Sequence, residues 1–218
     1  MAGPVNKRTY DATARRAQSA ATRQRIIDRA RDLIVERGYS ATTIAAIAEQ
    51  AGVNTATIYE LVGRKPVLLR ELVEQALSGA DHPIAGADRD YVTAMRDEPD
   101  AGAKLEIYAR AVTQIQTRMA PLFLALREAS PTEPEVAALW QEISDRRATN
   151  MRLLVADLAT TGQLRADLTH DDAADTIWAT NSPELYVMLT SERAWTHDRF
   201  EQWLDDTWRR LLLEDPAC

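Results

Sequence analysis

Cysteine is almost missing from this chain of 218 residues: there is one thiol, Cys218. A single cysteine excludes an intramolecular disulfide and any cysteine-rich zinc site. Cys218 also has no evident activating base beside it. Histidine is scarce too. The three present, His82, His170 and His197, lie far apart, and no His-x-x-x-His, Gly-x-Ser-x-Gly or phosphate-loop pattern occurs. These gaps predict no catalytic residue, no metal site and no cofactor, so the chain is not expected to be an enzyme. No apolar run approaches membrane-spanning length, and the N-terminus lacks an apolar signal core. A soluble cytoplasmic protein without a membrane partner is expected. β-Branched runs are few, whereas apolar residues recur at helical spacing along most of the chain, which predicts an all-α fold.

Charge is present, but it is unevenly placed. The whole chain carries −7. Residues 1–70 hold twelve Lys or Arg against six Asp or Glu, a balance of +6, and residues 71–218 hold fourteen against 27, a balance of −13. The basic part suits nucleic acid and the acidic part would repel it, so contact with DNA is expected at one end. Residues 1–20 include Lys7, Arg8, Arg15 and Arg16 and little apolar periodicity. They read as a basic flexible arm, either a solvated tail or a segment that reaches DNA.

The most informative stretch runs from Thr42 to Tyr59. Ile44, Ile47, Ala48 and Ala51 fall on one face of a short helix that Thr42 or Thr43 can cap. Gly52 follows, where a helix end favours a residue able to take positive φ. Val53 can plug the corner, and Asn54 or Thr55 then caps a second short helix through Ile58 and Tyr59. A helix carrying Ile26, Ala30, Leu33 and Ile34 precedes the pair and stops at Gly38. Another opens at Lys65-Pro66, with Pro66 tolerated in its first turn. This order predicts a helix-turn-helix whose second short helix enters the major groove. Thr43, Asn54, Thr55, Thr57, Tyr59 and Lys65 are the candidate DNA-binding residues. Thr43 and Lys65 suit phosphates, and Asn54 suits bidentate pairing with adenine.

These residues resemble the N-terminal domain of the TetR family of bacterial transcription repressors. The likeness rests on Gly38-Tyr39, Thr42-Thr43-Ile44, Ala48, Ala51-Gly52-Val53, Thr57-Ile58-Tyr59, Lys65 and Leu68, and spans roughly residues 22–77. Two positions depart from the family pattern: Leu61 and Val62 stand where His or Tyr, then Phe, are usual. Val62 can still act as an apolar plug, whereas Leu61 removes a polar contact. The resemblance implies a helix-turn-helix domain over 21–65, a connecting helix over 65–80, and a helical ligand-binding and dimerisation domain over 81–218. It also implies a homodimer on an operator of double-stranded DNA, released by a small molecule. A DNA-binding regulator or architectural protein without small-molecule control is the alternative.

Beyond residue 80 the segment 78–100 reads as a linker with one short helix near Tyr91 to Arg96. Leu105, Tyr108, Val112, Ile115 and Met119 form a helical stripe, and Pro121 is expected to interrupt it and start a new helix. A long helix follows from Glu135 to Thr161, one from Asp171 or Asp172 toward Thr190 with a kink at Pro183, and a last one from Thr196 to about Leu213. On the long helix Arg147 and Asn150 sit at inward positions, where buried polar groups need partners. With Tyr108, Gln116, Phe123, Trp140 and Asn181 they are the candidate lining of a ligand pocket; an internal polar network is the alternative. Trp178, Leu185, Tyr186, Leu189, Trp203, Trp208 and Leu211 are the candidate dimer contacts, since large apolar residues concentrate in interface cores. Some of them must instead form the subunit's own core.

Overall fold

The computed structural model describes residues 7–80, 84 and 86–214. All its elements are helical, and among the described residues no strand occurs beyond an isolated bridge between Leu164 and Leu213. The chain divides into two compact units, residues 1–72 and 73–218.

The first unit holds α1 (Lys7–Arg37), α2 (Ile44–Ala51), α3 (Thr55–Leu61) and the start of α4 (Lys65–Ser78). Its core contains most of the residues expected from helical spacing, with Ile27 added and Ile44 left half-buried. Ile26, Ile27, Leu33 and Ile34 of α1 are buried with Ile47 of α2, Ile58 of α3 and Leu68 of α4. Burial of aliphatic side chains on this scale contributes about 2 kcal/mol each, and polar ties add direction. Arg25 Nε donates to the Ala51 carbonyl at 2.9 Å and Arg23 Nε to the Leu61 carbonyl at 3.1 Å. The Arg23 guanidinium also pairs with Glu71 through both its terminal nitrogens. The residues expected as a flexible arm are different. From Lys7 onward they extend α1, which runs unbroken for 31 residues. Ala, Arg and Gln there are strong helix formers and no Gly or Pro intervenes, so an existing helix propagates through them at little cost. Residues 1–6 of the expected arm, His82 and Cys218 lie outside the described residues.

The second unit holds the rest of α4, a 3₁₀ turn at Gly86–Asp88, α5 (Asp90–Asp97), α6 (Ala101–Ala129), α7 (Pro134–Ala159), α8 (His170–Thr180), α9 (Pro183–Val187) and α10 (His197–Leu212). Helix α6 is central, packed against α5, α7, α9 and α10, while α8 packs on α7. Three expectations are corrected here. Pro121 does not divide the chain into two helices, because α6 continues through it. Proline removes one backbone donor, and the 28 other residues of this helix offset that loss through their buried face. Helix α8 is capped by Thr169, whose hydroxyl accepts from Asp172 N–H at 3.1 Å; Asp171 and Asp172 occupy its first turn instead. Pro183 does not kink one long helix. Asn181 and Ser182 interrupt the helix, Ser182 caps α9, and Pro183 sits in the first turn, where its missing N–H is not needed. A single π-helical turn, Met188–Glu192, then leads out.

Candidate nucleic-acid interface and internal cavity

The turn between α2 and α3 is built by three local devices. Thr43, in extended conformation, accepts from Ala46 N–H at 3.1 Å and caps α2. Gly52 takes φ 64°, and its N–H together with that of Val53 closes the end of α2. Asn54 caps α3 through Oδ1, which accepts from the Thr57 N–H at 2.8 Å and the Thr57 hydroxyl at 2.9 Å. Thr42 is buried and donates its hydroxyl to the Gly38 carbonyl at 2.8 Å, which settles the cap in favour of Thr43.

These devices leave a polar row on the outer side of α3. Asn54, Thr55 and Tyr59 are exposed, Tyr59 to 55%, while Ile58 points inward and Thr57 is half-buried. The Tyr59 ring is therefore not part of the head's core. Both lone pairs of Asn54 Oδ1 are taken by Thr57, so bidentate pairing with adenine is not available without breaking the cap; its amide hydrogens remain able to donate. Lys65, at the start of α4, lies with Nζ 3.9 Å from the centroid of the Tyr39 ring, which is itself buried. A cation over an aromatic face gains modest stability while keeping its charge. Tyr39 is thus a positioning residue that spacing alone did not reveal. Val62 is buried as the expected plug, and Leu61 contributes its carbonyl to Arg23.

In the second unit a partly open cavity of about 620 Å³ lies among α4, α5, α6 and α7. Five of the seven expected residues line it: Tyr108, Gln116, Arg147, Asn150 and Asn181. Phe123 and Trp140 do not. Their rings pack on one another at 4.3 Å between centroids, an aromatic pair away from the lining. Phe123 lies about two helical turns beyond Gln116 on α6, and Trp140 about one turn before Ile143 on α7, so the pair sits past the end of the lined space. Residues that sequence reasoning missed complete the wall, notably Glu74 and Leu77 from α4, Arg89 and Tyr91 near α5, and Arg146.

The cavity wall holds a polar cluster. Gln116 Nε2 donates to the Asn181 carbonyl at 2.6 Å, and Asn181 Nδ2 donates to the Tyr108 hydroxyl at 3.0 Å. The Tyr108 hydroxyl donates onward to Met151 Sδ at 3.3 Å. Burial holds the phenol proton on, pushing its pKa well above the ordinary range. Gln116 Oε1 and Asn181 Oδ1 are buried without a hydrogen-bond partner, an unusual state for native polar atoms. Arg147 donates to the Trp178 carbonyl at 2.5 Å and stacks 4.6 Å from the Trp178 ring. Burial lowers its pKa, partly countered by Tyr108 and Glu184. Lys104, 2% exposed, is held by Asp157 at 2.8 Å and by the Met95 carbonyl at 2.5 Å. Its place in the inward stripe with Ala101, Leu105 and Tyr108 was a readable signal. Among the described residues no cluster of His, Cys, Asp or Glu could hold a metal ion, and no helix is long and apolar enough to cross a membrane.

The candidate dimer contacts separate into two groups. Trp208 is fully buried, its ring stacked 5.4 Å from Tyr108 and its Nε1 donating to Thr180 Oγ1 at 2.7 Å. Tyr186 is 5% exposed and meets Phe200 edge to face. Both belong to the subunit's own core and offer little surface to another chain, which corrects their assignment. Trp178, Leu185, Leu189 and Trp203 are half-buried, and Leu211 is 44% exposed. Periodicity marks a buried stripe without saying what buries it.

Comparison with known proteins places the head first. Residues 26–72 match the family model for bacterial regulatory proteins of the tetR family. The HTH-type transcriptional regulator YvkB of Bacillus subtilis is 44% identical over 54 residues, covering 25% of this chain and 29% of that protein. The fold as a whole is similar to solved structures. NalD, the secondary repressor of the MexAB-OprM multidrug efflux pump in Pseudomonas aeruginosa, superposes with a TM-score of 0.70 at 21% identity, over 91% of this chain and 99% of that one. A transcriptional-regulator candidate from Saccharomonospora viridis, in complex with choline, gives 0.66 at 23% identity, over 88% and 98%. At such identities the likeness is one of fold.

Proposed function

We propose that this chain, whose residues 26–72 match the family model for bacterial regulatory proteins of the tetR family, is a transcriptional regulator of that family and acts as a homodimeric repressor which a small molecule releases from its operator. The observation that carries the proposal is the outer row of α3, Asn54, Thr55 and Tyr59, held on two capped helices of a basic head. In this reading α3 enters the major groove, Thr43 and Lys65 take phosphates, and the Asn54 amide donates to a base or backbone acceptor. A single short helix touches too few bases for useful specificity. Two-fold pairing presents two heads to half-sites a helical turn, or a multiple of one, apart. Trp178, Leu185, Leu189, Trp203 and Leu211 are the residues among those candidates left with surface to contribute to that pairing.

The second half of the proposal is regulation. The cavity is of a size that suits drug-sized molecules, apolar with a few placed polar groups, and the choline bound by the Saccharomonospora protein supports a ligand-holding role for this fold. A ligand shifts operator affinity if it binds the released state more tightly than the DNA-bound one. Helix α4 is suited to transmit this, because Lys65 opens it and Glu74 and Leu77 farther along it line the cavity.

The test is binding to the DNA upstream of the chain's own gene against a scrambled fragment, at two salt concentrations, with wild type and Lys65→Ala. Selective binding that Lys65→Ala weakens supports the proposal. Equal affinity for both fragments points to sequence-indifferent binding and overturns the repressor reading.

A further inference from the structure

The cavity wall is unbalanced in charge. Four guanidinium groups line it, from Arg89, Arg96, Arg146 and Arg147, against two carboxylates, Glu74 and Asp157. Both carboxylates are already engaged. Asp157 is held by Lys104 at 2.8 Å, and Glu74 Oε1 lies 2.9 Å from Arg146 Nη2, an ion pair by distance whose geometry does not make a hydrogen bond. Among the described residues no carboxylate pairs with the other three arginines. Arg96 reaches the Ala87 carbonyl at 3.4 Å, and Arg147 leans on the carbonyl and ring of Trp178. The Nε of Arg89 and of Arg147 are buried without a hydrogen-bond partner. Glu184 acts on Arg147 electrostatically without forming an ion pair with it. The remaining wall is largely aliphatic, with Leu77, Ile84, Val92, Ile115 and Leu154.

Arg96 is exposed and water screens it, but Arg89 and Arg147 are partly buried without a carboxylate partner, and such guanidinium groups beside an apolar wall attract an anion because the medium screens their charge less than water does. The unpartnered oxygens of Gln116 and Asn181 pull the other way, toward a donor such as an ammonium or a hydroxyl. They are neutral dipoles, however, and the arginines carry full charge. A cationic ligand would meet an excess of like charge with both carboxylates already occupied.

We propose that the cavity takes an apolar-bodied anion, a carboxylate on an aliphatic chain, held by Arg146 and Arg147, and that Glu74 is the internal competitor which the incoming anion displaces from Arg146. This rests on the reading of the cavity as the effector site. It adds a trigger to that reading: Glu74 belongs to α4 and Arg146 to α7, so ligand binding breaks a tie between these helices.

The experiment is calorimetric titration of the full chain, free of DNA, with decanoate, decan-1-ol and decyltrimethylammonium. Decanoate is expected to bind about tenfold more tightly than either. Arg146→Gln removes most of that preference and leaves decan-1-ol unchanged, while Glu74→Gln strengthens decanoate binding severalfold. Equal affinity for decanoate and decan-1-ol, a preference for the ammonium, or no binding by any of the three overturns the anion site. Weaker decanoate binding by Glu74→Gln overturns the competition. If Arg146→Gln fails to fold by circular dichroism, Glu74→Gln and the three probes on wild type still decide. Operator binding measured on the same preparation separates the two readings. DNA affinity that ignores bound decanoate defeats the effector role and leaves the anion site standing. DNA binding without a decanoate preference does the reverse.

Discussion

At Asn54 one side-chain oxygen accepts from both the backbone N–H and the hydroxyl of Thr57. Loss of an N-cap of this kind costs about 1 kcal/mol, and here it also unsettles the helix that presents Thr55 and Tyr59. Asn54→Ala is expected to lower the melting temperature slightly and the affinity for operator DNA more. An unchanged DNA affinity would remove Asn54 from the interface. Asp100 illustrates a cap in which charge matters. It accepts from Ala103 N–H at 2.8 Å and from Gln163 Nε2 at 3.2 Å. These bonds, the Ala103 one foremost, hold its pKa below the ordinary carboxylate value. A depressed folded-state pKa means stability that is present above the unfolded value of about 3.9 and lost as pH falls through the folded one. The advantage of wild type over Asp100→Asn should therefore be measurable by thermal unfolding at pH 7 and fade below about pH 4. A difference independent of pH would assign the effect to hydrogen-bond geometry alone.

At the scale of elements, α6 shows what packing can override. Pro121 sits exposed within a helix whose residues Leu105, Tyr108, Val112, Met119, Leu122, Phe123 and Leu126 are buried. The apolar face keeps the helix whole where local propensity would end it. Pro121→Ala restores one backbone donor and is expected to raise stability by about 1–3 kcal/mol, read as a higher denaturation midpoint. No gain would mean that the proline's rigidity in the unfolded chain offsets the lost hydrogen bond. The opposite case lies at Asn181-Ser182, where a buried asparagine turns its carbonyl to Gln116 and its amide to Tyr108. The helix is interrupted there, and Asn181 contributes to the cavity wall.

For the molecule as a whole, charge and apolar surface divide the work. The basic part precedes the acidic part in the chain, so DNA affinity should fall steeply with salt as counterions are released from phosphates. If the chain pairs through its last helices, as we propose, Leu211 is the exposed apolar residue of α10 best placed to contribute. Leu211→Glu would then shift the species seen by sedimentation velocity toward half the mass and weaken operator binding with it. A wild type that sediments as a monomer at micromolar concentration would defeat the dimer.

The head was legible in the amino-acid order because its devices are local. Thr43, Gly52 and Asn54 act on residues within five positions of themselves, and Ile47 and Ile58 follow from helical period alone. The all-α class was legible for the same reason. The cavity was half legible: Arg147 and Asn150 were readable as polar residues on the inner stripe of α7, although Asn150 lines the cavity at an exposed position, and Tyr108, Gln116 and Asn181 as residues that could line the same space. Which inward residues face empty space and which face each other was not readable, since Phe123 and Trp140 pair while Glu74, Arg89 and Arg146 come to the wall from α4, the residue before α5, and α7. Likewise Trp208 and Leu211 share a helix three residues apart, and periodicity cannot tell a face buried within the subunit from one left open. Sequence determined the elements and their caps, because those energies are set by near neighbours. Tertiary structure alone decided which side chains meet, because that depends on how helices far apart in the chain are brought together.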